Sequence, residues 1–414
     1  MIKRLLLPLL LIACSGGAWG QVAPSAYNAV GGLPAIGSLH YNLNYGQTSN
    51  LSKLQGDQIQ SIVSADASFS SIGSRHPFSL TYAGGYDLPV EGSSDGEGIF
   101  QHLAIQQVAQ LRHWNMAASD DVSLSRQTPI TGFSGVPGAG DVGGVTSPIT
   151  GTASTSNASI LTTNTPTVQN ATTVSVGHPL NHATSVSVGG SWDTLRFLRG
   201  IGQDTDQYGA NLSLTRRLTP RNSLAAIYSY TRFVYDGTSF DTLSQTAMVS
   251  FQRRWTRKIN YSLSAGPQWT KSSNNAFMPS SLQVSINAAI NEKFKIGSGG
   301  LGYSRATTSG SGYLQGAQSD DLTANLGRTV GRRLNVGLTA SYMRSSGLLG
   351  NGITYGKVAS GQISRKMGRD FSFYASYSAI SQSSSSNLPS NAVSGLMQVV
   401  GFGIECTPRD KHLM

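Results

Sequence analysis

The chain has 414 residues, of which 39% are apolar, 12% are charged and 48 are glycine, and its formal net charge is +10. This low apolar content argues against a large soluble core, whereas aromatic residues at 8% argue against disorder. Because a strand in a wall buries only one of its faces, the composition favours a β-rich protein.

The first predicted element is an export signal at residues 1–20. Two basic residues precede an apolar stretch at 5–13, and Ala-Trp-Gly at 18–20 has the small residues of a cleavage site. An alternative stays open, because the sequence Leu-Ile-Ala-Cys ending at Cys14 also resembles a lipidation signal. Residues 21–36 are expected to form a periplasmic N-terminal segment.

Strands are predicted from residue 37 onward, because apolar and polar residues alternate with a period of two. The stretch 37–47 shows this alternation clearly, and the "SDD" sequence at 119–121 has the composition of a turn. The predicted pairs of strands joined by short turns are 59–72 with 76–86, 99–117 with 121–130, and 168–177 with 183–195.

Residues 131–167 form the longest stretch without periodicity and are rich in Gly, Ser, Thr and Pro. Loops of this length are usually functional or disordered, so this one either stays at the surface or folds inward and narrows the space that the strands enclose. It contains "GAGDVG" at 138–143, which matches a dinucleotide-binding fingerprint. That motif requires a preceding strand and a following helix, and the loop composition on both sides argues against it.

Clusters of charge recur at a fixed interval in the second half of the chain. Their centres lie about 37 residues apart, which indicates a repeated supersecondary unit. The centres are Thr219, Thr256, Glu292, Gly331 and Gly368, with an earlier one at Leu180. Each unit is expected to hold a strand, a short charged turn, a second strand and a longer loop.

The cluster "RRWTRKIN" at 253–260 is predicted to form one of these turns on the periplasmic side. Its cations are Arg253, Arg254, Arg257 and Lys258, and Trp255 beside them suits an interfacial aromatic belt. The outer belt is predicted to contain Trp192, Tyr230, Phe233, Trp269 and Tyr342.

Eight short turns give sixteen strands, and one further strand at each end gives eighteen, with sixteen as the alternative. Strands of about 9–11 residues with alternating faces, short turns at one end and longer loops at the other are typical of a transmembrane β-barrel. The predicted fold is therefore all-β, a transmembrane antiparallel up-and-down barrel of about 18 strands that places both ends of the wall on the short-turn side.

The chain resembles the porin-like outer-membrane β-barrel proteins of Gram-negative bacteria. The resemblance covers residues 37–407 and includes the last strand, "VVGFGIEC" at 399–406; residues 408–414 form a C-terminal tail. It implies location in the bacterial outer membrane, with outer-membrane lipid, the barrel-insertion machinery and a small polar solute as partners.

Several charged and polar residues are predicted to face the lumen. Asp66, Arg112, Arg217 and Arg254 lie at inward positions of predicted strands, where they pair with other charges or line an aqueous path. Ser262 and Ser264 are likewise predicted to face the lumen, with Leu263 between them facing lipid.

No enzymatic, cofactor or metal site is predicted. His178 and His182 are spaced as metal ligands on a helix would be, but Pro179 and the turn composition argue against a helix there. Serines are frequent, yet no G-x-S-x-G sequence is present. Because the basic clusters lie at the short turns and the acidic residues lie mostly in or beside the longer loops, the charge is split between the two ends and does not indicate a nucleic-acid surface.

The predicted function is an outer-membrane channel for passive passage of small polar or neutral solutes, with saccharides as one possibility. The predicted inner residues are mainly Ser, Thr, Asn, Gln and Gly, which hydrate polar solutes, and eighteen strands enclose an aqueous lumen. The alternative is a closed structural or adhesive barrel without transport.

Overall fold

A computed structural model describes most of the chain from residue 37 onward. The described residues are 37–52, 56–71, 76–91, 98–126, 166–198, 202–238, 241–273, 280–310, 314, 316–331, 333–350, 352–385, 395–408 and 411–413. The predictions for 1–20, 21–36 and most of 131–167 lie outside these ranges.

Nineteen strands are present in the described residues. They are β1 Gly37–Ser52, β2 Gly56–Ser71, β3 Phe78–Glu91, β4 Gly98–Gln110, β5 Asn115–Arg126, β6 Pro166–Pro179, β7 Thr184–Phe197, β8 Thr205–Thr219, β9 Asn222–Tyr235, β10 Asp241–Arg254, β11 Ile259–Ser272, β12 Ser281–Phe294, β13 Gly297–Thr308, β14 Ala317–Val330, β15 Leu334–Gly347, β16 Ile353–Lys366, β17 Phe371–Ser384, β18 Gly395–Cys406 and β19 Lys411–Leu413.

The first eighteen strands form a closed antiparallel barrel. Each pairs with the next in sequence, and β18 returns to β1 in a register that runs from Leu43↔Cys406 to Ser52↔Met397. The prediction of eighteen strands is therefore confirmed and the alternative of sixteen is wrong. The short β19 adds to the same seam, because it pairs with Gly37–Leu39 at the start of β1.

The register of the strands fixes the width of the barrel. One circuit of paired residues returns to β1 displaced by about 22 positions, which for eighteen strands gives a tilt of roughly 40° and a backbone radius of about 18 Å. Such a wall encloses a space far wider than one layer of side chains can fill.

Short turns connect consecutive strands at one end of the barrel. Hydrogen bonds accepted by side chains in these turns explain why the strands end there. In the turn 255–258, Thr256 Oγ1 accepts hydrogen bonds from the backbone N–H groups of Lys258 and Ile259 at 3.1 and 3.0 Å. Asn181 and Thr219 accept equivalent bonds in their own turns. Side chains of these types compete with the strand ladder and favour a reversal of the chain.

The predicted turn at 119–121 is wrong. β4 ends at Gln110 and β5 begins at Asn115, so the turn lies at 111–114 and Arg112 is an exposed residue within it. The two aspartates of "SDD" are held in β5 by cross-strand partners. Asp120 accepts a bond from Thr172 at 2.6 Å, and Asp121 lies 2.8 Å from His102.

Large apolar side chains on the outer face of the wall are widely exposed. Five examples from different strands are each about half exposed or more, namely Leu212, Val249, Leu263, Leu301 and Leu338. Apolar exposure over a whole surface is unusual for a protein in water and suits contact with hydrocarbon. No helix in the described ranges is long and apolar enough to cross a membrane.

Aromatic residues follow the predicted outer belt with one exception. Trp192, Tyr230, Trp269 and Tyr342 are exposed on the outer face, as is Trp255 beside its turn. The placement of Phe233 in that belt is wrong, because its side chain is only 2% exposed. Phe233 is three positions from Tyr230, and an odd separation in a strand reverses the face.

Candidate functional site

The inner face of the wall is polar and closely packed on the β10–β11 side. Gln268 and Thr270 of β11 are 3% and 1% exposed, whereas the alternate residues Leu263 and Trp269 are among the exposed ones. Gln268 Nε2 donates to Ser244 Oγ of β10 at 2.9 Å. Inner hydroxyls and amides thus bond across neighbouring strands at two positions here, Gln268 with Ser244 and Ser264 with Ser250. The strand period of two separates these side chains from the apolar outer face.

The end of β13 separates from β12 and bends towards the lumen, while it stays paired with β14 up to Thr308↔Ala317. Its pairing with β12 stops at Ile286↔Arg305, although β13 continues to Thr308. Beyond that point Thr307 contacts β11, which lies two strands away. The Thr307 N–H donates to Gln268 Oε1 at 3.3 Å, and the Thr307 and Thr270 hydroxyls are 3.3 Å apart. Because Gln268 and Thr270 are on the inner face, the end of β13 passes inside β12.

The connection from β13 to β14 continues this inward course. Gly310 and Gly316 have φ values of 87° and 79°, which favour glycine, and the Gly316 N–H donates to the Ser309 carbonyl at 3.0 Å. Leu314 and Ala317 are fully or almost fully buried here. In the neighbouring β15–β16 connection, the Leu348 N–H donates to the Gly316 carbonyl at 3.0 Å, which ties the two connections together.

Both connections reach the inner side of β9. A Cβ placed on Gly316 would lie 3.2 Å from the Tyr235 hydroxyl, and Leu349 packs against the buried pair Phe233 and Tyr235. We call this assembly the inner constriction. It consists of residues 307–310, Leu314, Gly316, Ala317, Leu348 and Leu349 together with Phe233 and Tyr235. It covers the β9–β15 side of the lumen near the long-loop end.

Two carboxylates are buried on the opposite side, in β2 and β7. Asp66 is 4% exposed and accepts a hydrogen bond from Asn42 Nδ2 at 3.3 Å. Asp193 is also buried, alternates with the outward Trp192, and accepts a bond from Gln207 Nε2 at 3.1 Å. A neutral amide on a neighbouring strand therefore helps to orient each carboxylate.

The predicted basic lumen residues lie near the short-turn end of the barrel. Arg217 is exposed near the end of β8, and its Nη2 donates to the His182 carbonyl at 3.0 Å. Arg254 is the exposed last residue of β10, beside Arg253, while Arg257 and Lys258 lie in the exposed turn that follows. The structure does not bring Arg112, Arg217 and Arg254 together with Asp66.

The two predicted serines differ in their contacts. Ser264 Oγ donates to Ser250 Oγ of β10 at 2.9 Å, and Ser262 is half-buried on the same face of β11. Leu263 lies between them on the opposite face.

The described residues contain no group of three or more His, Cys, Asp or Glu side chains that could hold a metal ion. His178 lies at the end of β6 and contacts the ring of Trp114, with 4.5 Å between ring centroids, while His182 is exposed in the next turn. The two imidazoles therefore lie in different local environments.

Sequence reasoning missed the inner constriction. Its signal in the sequence is limited to glycines such as Gly310 and Gly316 in a short connection. Apart from the bond between Gly316 and Ser309, the contacts that define it join residues 32 or more positions apart, such as Leu348 with Gly316 and Thr307 with Thr270. Spacing along the chain does not report such contacts.

The sequence matches no protein-family model and no curated protein. Among solved structures, the chain is similar to Acinetobacter baumannii OccAB3, with 11% identity and a TM-score of 0.46 over 91% of this chain and 99% of that one. It is similar to Pseudomonas aeruginosa OccK2 (OpdF), with 9% identity and a TM-score of 0.45 over 90% and 97%. It is also similar to the FrpB iron transporter from Neisseria meningitidis (F3-3 variant), with 8% identity and a TM-score of 0.44 over 90% and 65%. These similarities are too remote to bear on what this chain binds or transports, and the fold is established by its own strand pairing.

Proposed function

We propose that this protein is an outer-membrane channel for the passive passage of small polar or neutral solutes and has no enzymatic activity. The observation that carries the proposal is a wide barrel whose two faces differ in polarity. The outer face exposes residues such as Leu263 and Trp269, while the inner face carries Gln268, Thr270 and Ser244. Antiparallel barrels with an apolar band outside and a polar lumen span outer membranes.

The solute path in this proposal runs along the inner walls of β1–β8. The described part of the inner constriction covers the β9–β15 side, and Asp66 and Asp193 lie on the other side. Hydroxyl and amide groups favour neutral polar solutes such as saccharides, and the two carboxylates add a weak preference for cations. Asp66, Ser262 and Ser264 are proposed to line the lumen, while Arg217 and Arg254 are proposed to lie at its short-turn mouth.

The orientation follows from loop length. In outer-membrane barrels the short turns are periplasmic and the long loops are extracellular. The turn that contains Arg257 and Lys258 is therefore proposed to face the periplasm, and the inner constriction is proposed to lie near the outer mouth. The loop predicted at 131–167, whose last two residues belong to β6, is proposed to lie at that mouth as well.

The inner constriction also supports a second candidate, a closed structural or adhesive barrel. Phe233, Tyr235 and Leu349 are packed inside the lumen, as they would be in a plugged wall. Conductance of the refolded protein in planar bilayers separates the two candidates. Discrete conductance steps, together with uptake of neutral sugars into liposomes, would support the channel. A silent protein that is folded and inserted would contradict the channel and support the closed barrel.

A further inference from the structure

A cluster of basic side chains lies on the outer face of the wall near its long-loop end. Asp320 of β14 is the direct cross-strand partner of Arg305 on β13 and of Arg344 on β15. The two guanidinium groups therefore flank one carboxylate. Lys357 of β16 is exposed and lies opposite Tyr342, two positions from Arg344. Three cations and one anion give this cluster a net charge of about +2 at neutral pH.

The two arginines are only loosely engaged by the carboxylate. Arg305 Nε lies 3.6 Å from Asp320 Oδ1 and Arg344 Nη1 lies 3.7 Å from Asp320 Oδ2, both longer than a hydrogen bond. By contrast, Arg196 Nη2 donates to both oxygens of Asp206 at 2.7 and 2.8 Å. The arginines beside Asp320 therefore keep donor capacity for another anion.

The cluster lies just beyond the apolar band. On β13 the outward residues towards Arg305 are Leu301 and Tyr303, and on β15 Tyr342 precedes Arg344 on the same face. Leu301 is half exposed and Tyr342 is also exposed. Aromatic rings mark the level at which hydrocarbon meets headgroups, so the basic groups lie at the depth of headgroup phosphates.

A row of small residues lies on the same face, one step closer to the middle of the wall. Each of the four strands β14 to β17 contributes one alanine, and each alanine is the cross-strand partner of the alanine on the next strand. These residues are Ala324, Ala340, Ala359 and Ala379. Leu322, Tyr342 and Lys357 form the adjoining outward row. Because alanine side chains are short, the outer surface is recessed along this row relative to the row that contains Leu322 and Tyr342. An extended hydrocarbon chain can lie in this recess.

We propose that Arg305, Arg344 and Lys357 bind the phosphate groups of an anionic lipid in the leaflet at the long-loop end, with an acyl chain lying along the alanine row. The proposal rests on the membrane-spanning part of the proposed function and goes beyond transport. Guanidinium groups match phosphate oxygens in bidentate geometry, and lysine adds a point charge. A lipid satisfies both the charge of the cluster and the apolar surface below it, whereas a free anion satisfies only the charge.

The test uses the full chain refolded in a neutral detergent and native mass spectrometry to count bound lipids. The probes are bisphosphorylated lipid A, the same lipid without phosphates, and inorganic phosphate as competitor. The triple variant Arg305→Gln, Arg344→Gln, Lys357→Gln is expected to bind bisphosphorylated lipid A at least about tenfold more weakly, since charge-assisted hydrogen bonds are lost. The dephosphorylated lipid should bind weakly to both forms.

A matched control removes three cations at the other end of the barrel, through Arg253→Gln, Arg257→Gln and Lys258→Gln. This control should bind the phosphorylated lipid as the unmodified protein does. Asp320→Asn should bind it more tightly, because the anion that competes for the guanidinium groups is gone. An increase in affinity cannot come from misfolding, so this variant keeps the test decisive if the triple variant fails to fold.

Equal binding by the triple variant and the control, or no gain with Asp320→Asn, would overturn the proposal. Effective competition by inorganic phosphate at low concentration would show a free-anion site and would also overturn it. Conductance recorded on the same preparation reports the proposed channel separately. Loss of lipid binding with conductance intact leaves the channel standing, and silence with lipid binding intact leaves the lipid site standing.

Discussion

Tyr374 on β17 donates a hydrogen bond from its hydroxyl to Asn44 Oδ1 on β1 at 3.0 Å, although β18 lies between the two strands. The side chain lies flat across the inner face, over Gly403 of β18 and Gly46 of β1, because neither residue has a Cβ that would block it. Tyr374 is buried in this position. It therefore links three strands at the seam where the last strand closes on the first.

The first prediction concerns this seam. Gly403→Ala would force a Cβ into the Tyr374 hydroxyl and within 2.5 Å of the Tyr45 carbonyl oxygen, so it is expected to cost about 1–3 kcal/mol of stability. The matched control is Gly337→Ala on β15, where nothing lies within 4 Å of the added Cβ and a change within about 0.5 kcal/mol is expected. The unfolding midpoint of each variant is measured from its heat-modified migration on gels over a temperature series. Equal midpoints would contradict the close packing of Tyr374 and of the Tyr45 carbonyl against Gly403.

The second prediction separates the two faces of β11. Leu263→Arg places a charge on the apolar face and is expected to cost roughly 2–4 kcal/mol, whereas Ser264→Arg places the same charge where water can reach it and should cost far less. Thermal midpoints in detergent compare the two. In an open channel Ser264→Arg should also shift ion preference towards anions. Equal destabilisation by both would contradict a membrane-spanning wall.

The third prediction concerns the inner constriction. At Gly316 an added Cβ would lie 2.9 Å from Leu348 and 3.2 Å from the Tyr235 hydroxyl, so Gly316→Leu should push the two connections off β9 and raise single-channel conductance. Gly350→Leu provides the control, because Gly350 has a similar φ of 70° with open space around it. If conductance rises equally in both, backbone strain rather than displacement is responsible.

The fourth prediction concerns the buried carboxylates. Asp66→Asn and Asp193→Asn keep the shape of the side chains and remove two negative charges, so the reversal potential in a salt gradient should move towards lower cation preference. Asp206→Asn serves as the control, because Asp206 lies on the same outer face of β8 as the exposed Tyr208 and the change removes one negative charge outside the lumen. An unchanged reversal potential in the double variant would place the solute path away from β2 and β7.

The repeat of about 37 residues in the second half of the chain, together with the alternation of apolar and polar residues upstream of it, predicts the fold, because strand, turn and loop lengths in a barrel are set by local sequence. Thr256 and Thr219 mark turns through their own hydroxyl bonds. The prediction of a turn at the "SDD" sequence is wrong because Asp120 and Asp121 bond to Thr172 and His102 on neighbouring strands and so remain in β5. Local sequence propensity does not report such partners. Phe233 shows that an aromatic residue near a strand end is assigned to a face by the parity of its position and not by its type.

The pairing of Lys411–Leu413 with Gly37–Leu39 places β19, which follows the last strand of the wall, beside the start of the first strand at one rim. A ring of sequentially paired strands has no inherent beginning, so the wall is compatible with a circularly permuted order of its strands. A short linker from residue 413 to residue 37, with new termini opened in one of the long connections, would preserve every strand pair. Such a permutation would change only the order in which the hairpins emerge during synthesis. Because the strand pairs stay the same, a change in the rate of assembly could then be measured separately from a change in final stability.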